Sequence, residues 1–252
     1  MHVETAGAHG ERPVLLLHGG GVAGWMWRPM RTHLGAGRRL LVPDLPGHGR
    51  SAHEPYVSHA RTTAELSRIL VDEGRPATVV GFSLGAQLAV QLAAQHPDLV
   101  DRVVVVSAQA VPMRATGPTL ALLGATAGLA RQEWFARLQA RELFIPDELM
   151  ADYVQTSAGI CRKTLLRSVE ENLRFVPPAR WQRFPGAASV LVGAKEKTLM
   201  KRSATALHTA LAHSTMEVVD GCGHGIPLQR AAWLARHIES GLEDRPEAER
   251  LP

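Results

Sequence analysis

Gly81-Phe82-Ser83-Leu84-Gly85 sets one serine between two glycines at G-x-S-x-G spacing. That spacing suits a nucleophile held on a sharp strand-to-helix turn. The strained turn projects the hydroxyl, and the glycines let neighbouring backbone approach closely. The N–H after the serine then opens a helix, whose partial positive charge favours an oxyanion. Leu84 N–H is therefore one expected oxyanion donor. His18-Gly19-Gly20-Gly21, earlier in the chain, can supply the other, with Gly20 as the expected donor and Gly21 as the alternative. Of the twelve histidines, only His224 sits in the setting Gly221-Cys222-Gly223-His224-Gly225, downstream of the serine, where small neighbours let an imidazole come close. A serine and a histidine so placed can do acyl transfer: the imidazole takes the hydroxyl proton while the oxygen attacks a carbonyl carbon.

These residues need a scaffold, and the hydrophobic pattern supplies one. Short apolar runs at 14–17, 40–42, 78–80, 103–106, 190–192 and 216–219 read as buried strands. Helical patterns lie between them at 25–34, 64–73, 84–95, 199–212 and 228–242. The alternation predicts an α/β fold: a mostly parallel sheet covered by helices on both faces. The serine pentapeptide falls between the 78–80 strand and the 84–95 helix, as an elbow requires. An ordinary turn serine would not need that context. The glycine loop and the histidine loop each follow a strand. Between 111 and 180 the alternation stops and only helical patterns remain, so a small helical cap is expected there. The core would then comprise 1–110 and 181–252, with a charged tail at 243–252 expected to fray.

The chain resembles the α/β-hydrolase superfamily, especially its small capped esterase-like members. The resemblance rests on His18-Gly19-Gly20-Gly21, the loop Asp44-Leu45-Pro46-Gly47-His48-Gly49-Arg50-Ser51, the elbow and Gly223-His224, and covers nearly the whole chain. It implies a Ser-His-acid triad of Ser83, His224 and a carboxylate, with Asp44 and His48 mainly structural. Relatives place an aspartate in a G-x-x-D loop after the strand matching 190–192. Here that loop is Gly193-Ala194-Lys195-Glu196, so Glu196 is the expected acid. Asp220, four residues before His224, is the alternative, and a dyad without an acid is a third possibility. The segment before Val14 is shorter than in many relatives, so one or two edge strands are expected to be missing. A serine at the elbow argues against haloalkane dehalogenase and epoxide hydrolase branches, whose pattern has aspartate there.

Trp25, Phe82 and Trp134 are candidates for substrate contact, and Trp27, Phe135, Phe144 and Phe175 are further aromatics for an apolar pocket, although core packing is the better account of such residues. Arg131 and Arg162 read as solvated helix faces rather than carboxylate ligands. The net charge of +4 is spread along the chain without a basic, aromatic-interleaved run, so no nucleic-acid partner is expected. Cys161 and Cys222 fit neither a disulfide framework nor a zinc site. No stretch is long and apolar enough for a membrane span, and the first residues lack a secretory pattern, so a cytoplasmic location is expected. The expected activity is hydrolysis of a small-molecule carboxylic ester or related acyl substrate through an acyl-enzyme, with no cofactor or metal. The rivals are lyase or cofactor-free tailoring chemistry on the same scaffold, or a ligand receptor with a vestigial triad.

Overall fold

The computed structural model describes residues 1–113 and 115–243. Its elements, in chain order, are β1 (Val3–Ala6), β2 (Pro13–Leu17), α1 (Arg28–Arg31), β3 (Arg39–Pro43), α2 (His59–Glu73), β4 (Ala77–Phe82), α3 (Leu84–Gln95) and β5 (Val100–Val106). Then come α4 (Thr116–Thr126), α5 (Glu133–Glu142), α6 (Met150–Gly159) and α7 (Arg162–Arg174). The chain returns to β6 (Ala187–Gly193), α8 (Thr198–Ala210), β7 (Thr215–Val219), α9 (Ile226–Gln229) and α10 (Ala231–Glu243). The sheet order is β1-β3-β2-β4-β5-β6-β7, and every pair but β1–β3 is parallel.

Strands buried on both faces explain the continuous apolar runs of β2, β4, β5 and β6, whereas β7, expected to be buried, is a largely exposed edge strand. Along β5, Val103 and Val105 pack into one core with Leu66, Leu70 and Leu207, on the side of α2 and α8. Val104 and Val106 pack into the other with Met30, Leu234 and Ile238, on the side of α1 and α10. The six predicted strands are all present. The segment before Val14 does contribute an edge strand, β1, antiparallel to β3. The predicted 25–34 helix is instead a 3-10 turn over Gly24–Trp27 followed by the short α1. The predicted 228–242 helix divides at Arg230, whose φ of −134° is not helical. The 111–180 stretch holds four helices and, among the described residues, no strand. The expectation of a frayed end falls almost entirely on 244–252, outside the described residues. Among those that are described, no helix is long and apolar enough to cross a membrane.

Parallel pairing in register brings the strand ends together. Leu17 pairs with Gly81, Phe82 with Val106, Val106 with Leu191 and Gly193 with Val219. The loops that follow β2, β4, β5, β6 and β7 therefore emerge at one edge, and they carry the glycine loop, Ser83, Ser107, Glu196 and His224.

Candidate active site

Ser83 sits between β4 and α3 with φ 52° and ψ −111°, a conformation that strains any residue with a side chain. Its N–H is held by Val106 O at 2.9 Å. The flanking glycines are sterically required. A Cβ on Gly81 would strike the Gly85–Ala86 backbone, and one on Gly85 would strike the carbonyls of Leu17 and His18.

His224 lies on the loop after β7. Its Nε2 is 3.1 Å from Ser83 Oγ, and its Nδ1 is 3.0 Å from Glu196 Oε2. An ionised carboxylate only accepts, so the proton between them belongs to Nδ1. Nε2 is then free to accept the Ser83 hydroxyl proton. Glu196 is tightly framed: its side chain is 1% exposed, Oε1 accepts the Ser107 hydroxyl at 2.5 Å, and the Gly193 N–H approaches the same oxygen at 3.3 Å. Asp220 is solvent-exposed, and the carboxylate that meets His224 is Glu196. The extra methylene of glutamate is accommodated by a tight turn, in which Glu196 N–H donates to Gly193 O while Lys195 N–H donates to Cys222 O. Gly193 must lack a side chain, because a Cβ there would press on the carbonyls of Cys222 and Gly223.

The backbone strain of the molecule gathers here. Among the described residues, the non-glycine positions with positive φ are Ser83, Ser107 and Phe144. Phe144 explains the glycines around His224: a Cβ on Gly223 would meet its ring at 2.6 Å, and one on Gly225 would meet Leu143 O at 2.5 Å. Those glycines thus make room for the 111–180 stretch as much as for the imidazole.

The glycine loop is fixed from beneath. Buried His18 donates through Nδ1 to Gly19 O at 2.7 Å and accepts the Leu45 N–H on Nε2 at 2.8 Å. Burial, and then the neighbouring His48, lower its pKa to about 3, so it is a neutral strut. Burial alone would raise the Asp44 carboxyl, but N–H donors from Arg50 and Gly24 hold it below the ordinary range. Asp44 and His48 thus tie the 44–51 loop and do not reach Ser83.

Ser83, Leu84, Gly20 and Gly21 line a cavity of about 420 Å³ whose other walls include Leu123, Leu143, Tyr153, Leu165 and Val169 from the helical stretch. Of the predicted substrate contacts, none of the three is part of its lining. Trp25 donates through Nε1 to Thr156 Oγ1 at 2.9 Å and packs edge-on against Tyr153. Phe82 is buried between Gly19 and the His224 ring, 5.0 Å from it. Trp134 is 61% exposed, against Phe135. Arg162 donates to Gly124 O, and the side chain of Arg131 lies outside the described residues. Ser107 is not apparent in the sequence: a lone serine after a strand has no signal of its own, and only the β5–β6 register places it against Glu196. Among the described residues, no group of three or more His, Cys, Asp or Glu side chains is placed to hold a metal ion.

A serine at a strained elbow, with an imidazole and a carboxylate in series behind it on a doubly covered parallel sheet, defines a class. The chain belongs to the Alpha/beta hydrolase family, whose model matches residues 14–237. Among curated proteins it is 34% identical to sn-1-specific diacylglycerol lipase ABHD11 of Mus musculus over 55% of this chain and 45% of that one. It is 39% identical to a pimeloyl-[acyl-carrier protein] methyl ester esterase of Edwardsiella ictaluri over 41% of this chain and 38% of that one. These matches span less than half the length of either relative. The fold is shared with a bromoperoxidase from Bacillus anthracis at a TM-score of 0.84, with 19% identity over 96% of this chain and 95% of that one.

Proposed function

We propose that the protein is a serine esterase that cleaves a small carboxylic ester or related acyl substrate through an acyl-enzyme. The observation that carries this reading is the imidazole of His224, seated between Ser83 Oγ and the buried Glu196 carboxylate at 3.1 and 3.0 Å. His224 Nε2 takes the Ser83 proton as Oγ attacks the carbonyl carbon. Glu196 holds the tautomer and stabilises the imidazolium. The N–H groups of Leu84 and Gly20 receive the oxyanion, and Leu84, as the first residue of α3, has no intrahelical acceptor for its own. The imidazolium then gives its proton to the departing alcohol. In the second half, water loses a proton to Nε2 and attacks the acyl carbon, and Ser83 regains its hydrogen as the acid leaves. The helices of 111–180 act as a cap, since they supply most of the apolar wall over Ser83. Both curated relatives above carry names of ester hydrolases, in keeping with this chemistry.

A chain-length series of p-nitrophenyl esters tests the reading with wild type and Ser83→Ala. The expected result is ester turnover by wild type and a loss of roughly three or more orders of magnitude in a folded Ser83→Ala. A folded variant with near-normal turnover overturns it.

A further inference from the structure

Among the described residues, several buried polar side chains around the site are hydrogen-bonded. Trp25 Nε1 finds Thr156, and the Tyr56 hydroxyl finds His59 Nδ1 at 3.0 Å. Tyr153, on α6, is 2% exposed, yet its hydroxyl has no hydrogen-bond partner among the described residues. Nor is the hydroxyl sealed in packing, as the Nε1 of Trp27 is. Tyr153 lines the cavity that holds Ser83, and its ring is set edge-on by Trp25 at a centroid distance of 6.5 Å. A hydroxyl on a cavity-lining side chain with no protein acceptor is available to donate to a ligand bound there. The remaining lining narrows what that is. Leu123, Leu165 and Val169 offer apolar contact beside the uncharged polar Gln139, Ser168 and Asn172, and the one charged lining side chain among the described residues is the carboxylate of Glu142. An anionic ligand would meet a like charge there and no cation.

We infer that Tyr153 is a specificity-determining residue whose hydroxyl donates a hydrogen bond to an oxygen carried by an uncharged ester. The inference rests on the esterase reading and names its substrate class. Burial pushes the phenol up to about 12, so it is a donor throughout the neutral range. A site built to hydrogen-bond such an oxygen discriminates against the analogue that lacks it, because the donor is then left unmatched.

The test compares p-nitrophenyl hexanoate with oxa analogues in which one chain CH2 at a time is replaced by oxygen. For one analogue, wild type should show a kcat/KM ratio to hexanoate about tenfold above that of Tyr153→Phe, the size of one neutral hydrogen bond. Hexanoate itself should be turned over faster by Tyr153→Phe, which has no hydroxyl to leave unmatched, so the quantity read is the ratio between the two esters. The mono-p-nitrophenyl ester of adipate, which carries a carboxylate, should be a poorer substrate than hexanoate and improve in Glu142→Gln. Calorimetric binding of the same esters to Ser83→Ala, with and without Tyr153→Phe, reads the preference without turnover. Ser83-dependent turnover with equal ratios in wild type and Tyr153→Phe overturns the inference and leaves the esterase reading standing. A Tyr153-dependent binding preference with no turnover by wild type overturns the esterase reading instead. Failure of Ser83→Ala to bind any of the esters counts against the substrate class inferred here.

Discussion

The Glu196→Gln substitution exchanges one oxygen for an NH2 group inside a closed frame of donors and acceptors. Glu196 is enclosed, with Oε1 facing the Ser107 hydroxyl and Gly193 N–H and Oε2 facing His224 Nδ1. If the oxygen of the introduced amide stays with Ser107 and Gly193, its NH2 confronts Nδ1. The imidazole proton must then move to Nε2, where Ser83 needs a lone pair. If the amide flips, its NH2 opposes the Gly193 N–H, so neither orientation is clean. In the proposed reaction, the imidazolium formed during attack also loses its counter-charge. Unit charges about 4 Å apart at an effective dielectric near 20 interact by about 4 kcal/mol. That alone corresponds to roughly three orders of magnitude in rate. We expect Glu196→Gln to melt within a few degrees of wild type and to lose about a thousandfold in kcat/KM on the best p-nitrophenyl ester. Glu196→Asp, with the shorter reach, should retain partial activity. Activity of folded Glu196→Gln within tenfold of wild type would refute the reasoning and leave His224 working without an acid.

Two further outcomes are expected from the same geometry. His18 stays neutral to about pH 3 in the fold, and burial lowers His48 as well, whereas both titrate near 6.5 in the unfolded chain. The unfolded state therefore binds more protons below pH 6.5. Stability should be unaffected by these groups above that pH and fall as pH drops below it, with His18 contributing up to about 1.4 kcal/mol per pH unit down to about pH 3 and His48 acting in the same direction. Calorimetric unfolding at pH 5 should take up about one proton fewer in His18→Asn than in wild type; equal uptake would place a charged His18 in the folded protein. Exposed Trp134 and cavity-lining Leu165 should behave oppositely: Trp134→Ala should leave acyl-chain preference unchanged, while Leu165→Ala should shift it toward longer chains. A Trp134→Ala variant with altered chain preference would mean that this side chain swings over the site.

How much the residues disclose depends on how strongly local pattern constrains them. The run 103–106 is strand-like because both faces of β5 are buried. Ser83 and its glycines are legible because a strained turn leaves few alternatives. Glu196 is legible by its place after β6. The edge strand Val3–Ala6 is not, because a half-exposed edge needs no apolar run and Val-Glu-Thr-Ala offers none. The start of α2 is five residues earlier than hydrophobic periodicity suggests, at His59, where the Ser58 hydroxyl caps the Arg61 N–H. Trp25 and Trp134 show why residue type alone cannot assign a pocket wall. Both are large aromatics, yet one is tied inward to Thr156 and the other faces solvent. Tyr153 has no sequence signal at all, since its role depends on partners it lacks.

The cavity draws its reactive atoms and most of its apolar wall from different parts of the chain. Ser83, Glu196 and His224 hang from strand ends locked by sheet register, whereas Leu123, Leu143, Tyr153, Leu165 and Val169 belong to one stretch between β5 and β6. That stretch is fastened to the rest by discrete ties, such as Trp25 to Thr156 and the ion pair of Arg28 with Asp152 at 2.7 Å. Inheritance can therefore edit the two parts at different rates. A lineage can try new walls by drift within a single short segment, leaving the arrangement of Ser83, His224 and Glu196 unaltered. For an engineer the same separation sets the library: randomise the wall positions, hold the ties, and selection then explores ligand scope without wagering the chemistry.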